Sequence, residues 1–429
     1  MGANLRSAAR RPRPGIYQHA TDRDRPESPA PIALSRRESV AIATDSRREI
    51  FGETGTGVAS WCMTVSPAPL QLWCASAGIP RYTARAAARA EADGWDGFGL
   101  VDSQNLAGDP YVELALAAHA TERLLLATAV TNPFTRHPAA AATAIATIHA
   151  ESQGRAVLGI GRGDSALAHL GLAPAKVPYF ERYVQRLQGY LAGAEVAFDL
   201  NDDADAAAAA GIGSSSALGM AGGPRSSRLR WLAMTSLAKV PVDVAASGPK
   251  VIGVAARHAE RVTFAVGASE ERIAWAVRTA REARLAAGLP LDGFGLGAYV
   301  PVFVHPDRAV AREMISGGVA SYARFSVMHG TVIGPADAAT HETLVDVHAA
   351  YDMDHHFTHG SPQSAALTDD VIDAFGIAGP PEYCVERLSS MAALGLSKLL
   401  VLGGGVNLDR NAARASHDLL VREVLPALR

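Results

Sequence analysis

Short apolar segments alternate with Ala-rich amphipathic segments along most of this chain, and this alternation constrains the fold more than any other feature. The apolar segments have the length of β-strands, and a helical pattern follows each one, which favours a parallel sheet. Eight strands are predicted, at Leu70–Ser76, Gly97–Val101, Leu124–Val130, Ala156–Gly161, Val242–Ala246, Val262–Val266, Leu296–Val304 and Lys398–Leu402. Eight strand–helix units predict an α/β fold of the (β/α)8 TIM-barrel type, since an open doubly wound sheet usually has fewer strands.

Composition narrows the class of protein. The net charge is −3 and 48% of the residues are hydrophobic, so a large core is expected and neither a nucleic acid nor a membrane surface is indicated as a partner. The cysteines Cys62, Cys74 and Cys384 form no CxxC pair, which argues against a zinc site or a disulfide framework. No apolar run reaches the ~18 residues that a membrane span needs. We therefore expect a cytoplasmic protein that acts on a small molecule.

Three stretches depart from the strand–helix alternation. Residues 1–62 are rich in Arg, Pro, Ser and Asp and lack apolar periodicity, so they are expected to form a disordered extension before a domain at 63–429. Residues 193–230 and 325–378 also lose the alternation, and we interpret them as insertions at the surface of the barrel.

Polar residues follow the second and third predicted strands. In alternating β/α chains the carboxyl ends of the strands carry the chemistry. The run TAVTNPFTRHP, Thr128–Pro138, lies at such an end and places Asn132 there, while Asp102 follows the preceding strand. A carboxylate at this edge can orient a cofactor or a substrate. The alternative is that Asp102 is a helix cap and that Asn132 belongs to an ordinary turn.

Glycines recur at every second position at the end of the fourth strand, at Gly159, Gly161 and Gly163. Their spacing differs from GxGxxG, so no dinucleotide fingerprint is indicated. Bare backbone lets a flat ring or a phosphate approach closely, but close packing between elements is an equally good explanation. Asp164, directly beyond, is either a polar group of the site or the N-cap of a short helix, Ser165–Leu170.

Two further segments suggest ligand contacts. Ser247-Gly248-Pro249-Lys250 joins a strand to a helix, and free N–H groups at a helix start attract phosphate, although an ordinary strand–helix junction has the same sequence signature. The segment YDMDHHFTHG, Tyr351–Gly360, holds three histidines, but their spacing matches no metal-ligand pattern. We predict no metal there and interpret the segment as a lid over the substrate.

Four segments carry a resemblance to a known family. VTNPFTRHPA, at Val130–Ala139, and GRAVLGIGRGDSA, at Gly154–Ala166, resemble the third-strand signature and the fourth-strand loop of methylene-tetrahydromethanopterin reductases. Val244–Phe264 resembles their phosphate-binding segment, and Leu394–Gly405 resembles the last barrel strand. From Leu70 onward the chain therefore resembles the luciferase-like flavin and deazaflavin oxidoreductases, and among them the branch that uses coenzyme F420.

This resemblance implies a barrel with insertions that binds F420, or alternatively FMN, at the carboxyl ends of its strands. It implies a cis peptide bond between Ala129 and Val130 beneath the cofactor ring. The cofactor-binding residues implied are Asp102, Ala129, Val130, Asn132, Gly161, Gly163, Ser247, Gly248, Pro249, Val266 and Gly267. The catalytic candidates are Asp102, Ser103 and Asp164, and the polar groups expected nearest the hydride path are Asp164, Ser103 and Gln104. Because such proteins often dimerise through barrel helices, the resemblance also allows a homodimer.

One position departs from the family pattern. Sugar-phosphate and alcohol dehydrogenases of the family carry a catalytic His directly after the aspartate, whereas this chain has Ser103. The absence of that base favours a reductase that passes hydride to an electron-poor C=N or C=C bond. The alternatives are an FMN-dependent monooxygenase, a non-catalytic cofactor-binding protein, and a barrel with no cofactor at all.

Overall fold

The computed structural model describes residues 69–198, 211–213, 218–220, 222 and 224–429. These residues belong to one compact unit, Val65–Arg429. The extension expected at residues 1–62 lies outside the described residues, and so does part of the 193–230 stretch.

Eight parallel strands close into a barrel, which confirms the predicted fold. They are β1 Gln71–Ser76, β2 Gly97–Leu100, β3 Leu125–Thr128, β4 Ala156–Ile160, β5 Val242–Ala246, β6 Arg261–Phe264, β7 Gly295–Val304 and β8 Lys398–Leu402. Each strand pairs with the next in chain order, and β8 pairs with β1 to complete the circle. All of these pairings are parallel.

The strands are apolar throughout because both of their faces are covered, as is usual for parallel sheets. Successive side chains point to opposite faces, so neighbouring residues enter different cores. In β8, Leu399 packs in the layer between strands and helices, whereas Leu400 lies in the barrel interior with Trp73 and Tyr299. The barrel is therefore filled by side chains and leaves only its ends available for a ligand.

Helices surround the barrel and begin at the carboxyl ends of the strands. They are Thr83–Ala92, Pro110–Ala120, Pro138–Glu151, Ser165–Ala168, Val177–Leu191, Pro249–His258, Glu270–Ala286, Arg308–Phe325, Pro381–Ala393 and Arg410–Leu419, which continues through a π turn, Leu420–Val424, into Leu425–Ala427. Side chains of Asp109, Ser269 and Asp307 accept hydrogen bonds from first-turn N–H groups and so fix three of these starts. No helix in the described ranges is long and apolar enough to cross a membrane.

The two irregular stretches differ in structure. In the first, Val196–Ala197 pairs antiparallel with Ser226–Ser227, before a 3-10 turn at Arg230–Met234. The second, between Phe325 and β8, contains helices Ala338–Ala349, Pro362–Ala365 and Asp369–Phe375, a 3-10 turn Met353–His355 and a strand, Ile377–Gly379. That strand, which the sequence reasoning missed, pairs in parallel with the end of β7. The second insertion therefore builds over the carboxyl end of the barrel.

Candidate functional site

A cavity of about 1500 Å³ opens at the carboxyl ends of the barrel strands. Its wall is formed by residues that follow several strands and by the second insertion, including Ser76, Asp102, Asn132, Gly161, Ser247 and His356. A smaller cavity of about 350 Å³, beside His149 and Leu191, lies where helices end, at the opposite end of the barrel. Only the large cavity coincides with the position where barrel enzymes bind ligands.

Asp102 lies directly after β2 and is 2% exposed. One carboxylate oxygen accepts hydrogen bonds from Thr131 Oγ1 at 2.6 Å and from Arg136 at 3.2 Å, and the other accepts one from Gln104. Burial raises the pKa of this carboxyl, and the hydrogen bond from Thr131 and the charge of Arg136 oppose that shift. The carboxylate is therefore held in one orientation at the cavity wall.

Asn132 combines a fixed position with an unused donor. Its Oδ1 accepts hydrogen bonds from the backbone N–H groups of Phe134 and Thr135, both at 3.0 Å. The residue is 1% exposed, and its Nδ2 has no hydrogen-bond partner in the part of the chain described. A buried amide without a partner is costly, so this N–H is suited to an acceptor on a ligand in the cavity. The nearby Ala129–Val130 peptide bond is cis, as the resemblance implies.

The three glycines within and after β4 serve different purposes. A Cβ at Gly159 would lie 2.0 Å from the Thr128 carbonyl oxygen, so this glycine is required by the contact between two strands. Gly163 has a φ of +82° and packs against Leu167 and Asn132. Gly161 lines the cavity, where a Cβ would lie 3.1 Å from Val130. Close packing therefore explains Gly159 and Gly163, and only Gly161 and Gly163 border the cavity.

Asp164 does not cap the helix that follows it. Its carboxylate instead forms an ion pair with Arg324, at the end of helix Arg308–Phe325. The guanidinium of Arg324 lies 4.5 Å from the centre of the Tyr351 ring, a cation–π arrangement. Asp164 is thus tied to the second insertion across the cavity wall.

The segment predicted as a lid does form part of the cavity wall, through Met353, Asp354, His356, Phe357 and Thr358. The Tyr351 hydroxyl lies 2.5 Å from His356 Nδ1 and 3.2 Å from the Ser321 hydroxyl. Burial lowers the pKa of His356 to about 4 and raises the pKa of Tyr351 to about 12. Near neutral pH both groups are therefore uncharged, and they act through hydrogen bonds.

The segment after β5 also reaches the cavity. Ser247, Gly248 and Pro249 line its wall, and Gly248 is the N-cap of helix Pro249–His258, which has no side-chain cap. Pro249 has no N–H, and the N–H groups of Val251 and Ile252 donate to the Gly248 carbonyl, so the backbone N–H of Lys250 is the first-turn donor left for an anion.

The structure does not bring Val266 and Gly267 to the cavity. Val266 is fully buried, and Gly267, with a φ of +103°, packs against Ala374 and Phe375 of the second insertion. Among the other residues predicted to hold the cofactor or to act in catalysis, Ser103, Ala129 and Val130 do line the cavity.

Sequence reasoning missed the partners of the two aspartates, Arg136 and Arg324. Arg136 lies in the TNPFTRHP run, where its charge was a usable signal. Arg324 lies 160 residues from Asp164, so no local pattern connects the two. Among the described residues, no group of three His, Cys, Asp or Glu side chains is placed to hold a metal ion.

The fold and cavity define an α/β barrel with a large cavity at the carboxyl ends of its strands. Residues 63–398 match the family described as luciferase-like monooxygenase, and the chain belongs to this family.

Two kinds of relative are similar in sequence. The 5,10-methylenetetrahydromethanopterin reductase of Archaeoglobus fulgidus is 28% identical over 79% of this chain and 93% of that protein. The F420-dependent glucose-6-phosphate dehydrogenase of Beutenbergia cavernae is 25% identical over 74% of this chain and 82% of that protein.

Solved structures share the fold. The structure of the coenzyme F420-dependent tetrahydromethanopterin reductase of Methanopyrus kandleri superposes on this one with a TM-score of 0.62 and 22% sequence identity. The match covers 85% of this chain and 100% of the reductase chain. For an F420-dependent secondary alcohol dehydrogenase in complex with an F420–acetone adduct, the match covers 84% of this chain and 99% of the dehydrogenase chain, with 17% identity and a TM-score of 0.61.

Proposed function

We propose that this protein is an F420-dependent oxidoreductase that moves hydride between the deazaflavin and an electron-poor C=N or C=C bond of a small molecule. A pterin similar to methylene-tetrahydromethanopterin is the substrate we favour. Membership of the luciferase-like family and the similarity to reductases of that pterin support this proposal. The observation that carries it is the buried, unpartnered N–H of Asn132 at the cavity wall.

The residues present fit such a cofactor. The volume of about 1500 Å³ exceeds the ~300–1000 Å³ of ordinary ligand pockets, and so leaves room for a large cofactor together with a substrate. Asn132 offers a donor to a ring acceptor, and the bare backbone at Gly161 and Gly248 permits a flat group or a phosphate to approach. The uncapped helix start at Gly248 favours an anion.

When bound, F420 supplies a carbon that donates or accepts hydride, and the protein supplies orientation and electrostatics. Asp102, fixed by Thr131 and Arg136, orients the ring from the end of β2. Asp164, in its ion pair with Arg324, and Ser103 are the polar groups that we assign to the reacting side of the cavity. Ser103 is a weak base, so reduction is favoured over oxidation of an alcohol.

Fluorescence titration of the purified full chain with F420, and separately with FMN, tests the proposal. We expect F420 to bind at micromolar concentration or tighter, and FMN to bind more weakly. Asn132→Asp keeps the oxygen that holds the turn but removes the donor, so it should weaken F420 binding about tenfold or more.

Asn411→Asp, an exposed substitution of the same chemistry, is the matched control and should bind like the wild type. Tighter binding of FMN would move the protein to the monooxygenase class, and binding of neither would refute the proposal. A cofactor-loaded protein that turns over no imine, enone or pterin would instead be a carrier or a sensor.

A further inference from the structure

Two tyrosine hydroxyls open on the large cavity without a hydrogen-bond partner. Tyr299, in β7, and Tyr322, in helix Arg308–Phe325, both line the cavity, and their ring centres lie 5.9 Å apart. Neither hydroxyl is hydrogen-bonded within the described ranges, and neither is sealed in the interior as the unpartnered hydroxyl of Tyr111 is. A largely buried tyrosine normally satisfies its hydroxyl, so these two groups are suited to a ligand in the cavity.

Tyr299 lies in the floor of the cavity, which is the part of its wall that the barrel interior forms. The residue is 6% exposed and packs in the interior cluster with Trp73 and Leu400. Four alanines at strand ends belong to the same cluster and also line the cavity: Ala75, Ala129, Ala245 and Ala265. Since alanine methyl groups offer a ligand no hydrogen bond, the hydroxyl of Tyr299 is a polar group on an apolar floor.

The position of Tyr299 in the barrel is opposite the position proposed for the cofactor ring. In the circle of eight strands, β7 is four strands from β3 in either direction, so these two strands lie on opposite sides of the barrel. The ring is proposed to lie against β3, where the cis bond Ala129–Val130 and the free N–H of Asn132 are found. The space between that ring and β7 therefore adjoins Tyr299.

The hydroxyl of Tyr299 keeps its proton over the working pH range. Burial, and the charge of Asp243, hold the pKa of Tyr299 well above its ordinary value. Asp102 and Asp164 in the cavity wall are each paired with an arginine, so they act as acceptors. Tyr299 is thus a donor on the cavity floor, and its place in a barrel strand fixes its position.

Packing alone does not explain a tyrosine at position 299. Two other buried tyrosines use their hydroxyls in the fold, since Tyr183 donates to the Arg136 carbonyl at 2.9 Å and Tyr190 lies 3.0 Å from the Ser227 hydroxyl. A phenylalanine at 299 would leave no donor or acceptor of the described chain unpaired. The hydroxyl is therefore a group for a ligand, and its removal should not destabilise the fold.

We propose that Tyr299 donates a proton to the substrate atom that gains an electron pair when hydride is added. This inference rests on the proposed function, in which the hydride comes from reduced F420. Hydride addition to the carbon of a neutral C=N bond moves the π electron pair to nitrogen. The nitrogen takes the hydroxyl proton of Tyr299, so that an N–H bond forms as the O–H bond breaks, and water then returns a proton to the phenolate.

Equilibrium binding distinguishes this role from a structural one. The probes are the cyclic imine dihydroisoquinoline and the hydrocarbon dihydronaphthalene, which has CH in place of the imine nitrogen. Each is titrated into the full chain loaded with F420, in mildly alkaline buffer that keeps the imine neutral. We expect the wild type to bind the imine about tenfold more tightly than the hydrocarbon, and Tyr299→Phe to lose that preference. The F420 affinity and thermal stability of Tyr299→Phe should match the wild type.

Turnover gives a second readout. Reduction of the imine by reduced F420 should be about 100-fold slower or more in Tyr299→Phe, because general acid catalysis contributes at least that factor. Fluorotyrosine at position 299 keeps the hydroxyl and should restore most of the rate. Tyr82→Phe removes a hydroxyl from an exposed tyrosine outside the cavity, and it should behave like the wild type in both assays.

Equal affinity of the F420-loaded wild type for the imine and the hydrocarbon would overturn the inference and leave cofactor binding intact. An imine preference that survives in Tyr299→Phe would also overturn it, and its loss in Tyr322→Phe would then assign the donor to the neighbouring tyrosine. A loss of F420 affinity in Tyr299→Phe would assign the hydroxyl to the cofactor instead of the substrate. Failure of the wild type to bind F420 would count against the proposed function itself.

Discussion

The ammonium group of Lys398 lies 2.8 Å from the carboxylate of Asp243, and both side chains are buried inside the barrel. Burial lowers the pKa of Lys398, whereas Lys398 and Arg261 hold the pKa of Asp243 below its usual value although burial alone would raise it. The pair joins β5 to β8 across the barrel interior, and Lys398 also lies 4.2 Å from the centre of the Trp73 ring.

Lys398→Met should therefore destabilise the protein by about 3–5 kcal/mol, because it leaves Asp243 buried without its cation. Asp243→Leu in the same chain should restore much of that loss, since an apolar pair has no charge to desolvate. Denaturant unfolding measures both changes. Lys239→Met, in a partly exposed ion pair, is the control and should cost less than about 1 kcal/mol.

Desolvation of the half-buried His356 imidazole should make stability depend on pH. Its pKa is about 4 in the folded chain, against an ordinary value of 6.5, so the unfolded chain binds more protons between these values. The stability that the neutral imidazole contributes is therefore fully present above pH 6.5 and is lost as the pH drops towards 4. The loss amounts to at most about 3 kcal/mol, at 1.36 kcal/mol per pKa unit.

Unfolding measured at pH 7 and pH 4.5 should show a larger loss in the wild type than in His356→Gln. His355→Gln, at an exposed position beside His356, should behave like the wild type. Identical pH dependence of the wild type and His356→Gln would show that His356 is not the group that makes stability depend on pH.

Arg272 holds the second insertion against the barrel. It is 2% exposed and donates hydrogen bonds to the carbonyls of Val266, Ile333 and Pro335 and to the Ser326 hydroxyl. Arg272→Met should leave several buried acceptors without donors and destabilise the protein by about 3 kcal/mol or more.

Hydrogen exchange should increase selectively at residues 326–335 in this variant, while the barrel strands stay protected. Arg278→Met, on an exposed position of the same helix, provides the comparison. Uniform loss of protection over the whole chain would show that Arg272 supports the fold rather than this segment.

Two glycines at the cavity end of the barrel should respond differently to alanine. A Cβ at Gly159 would lie 2.0 Å from a backbone oxygen, so Gly159→Ala should cost about 3 kcal/mol or more or abolish folding. At Gly248 the nearest atom would be 3.6 Å away, on Ile333, and the residue has a negative φ, so Gly248→Ala should leave thermal stability nearly unchanged. Thermal melts of the two variants test this contrast, and equal destabilisation would refute it.

The barrel was predictable because its signal is local. A strand such as Val242–Ala246 is a short apolar run followed by a helical pattern, and its predicted bounds agree with the structure. Strand ends were less accurate: β3 ends at Thr128 and β6 at Phe264, earlier than predicted, because hydrophobicity continues beyond the last paired residue. The position of Asp102 and Asn132 at the cavity wall was predictable because each follows a strand and all parallel strands end at one edge.

Tertiary structure decided the use of each residue at that edge, because the deciding contacts join parts of the chain that are far apart in sequence. Asp164 had the local signature of a helix cap, yet Arg324 takes its carboxylate. Gly267 followed a strand like Gly248, but the second insertion covers it and leaves Gly248 at the cavity. Hydrophobic periodicity thus determined the barrel, whereas long-range ion pairs and the packing of one insertion determined which side chains face the cavity.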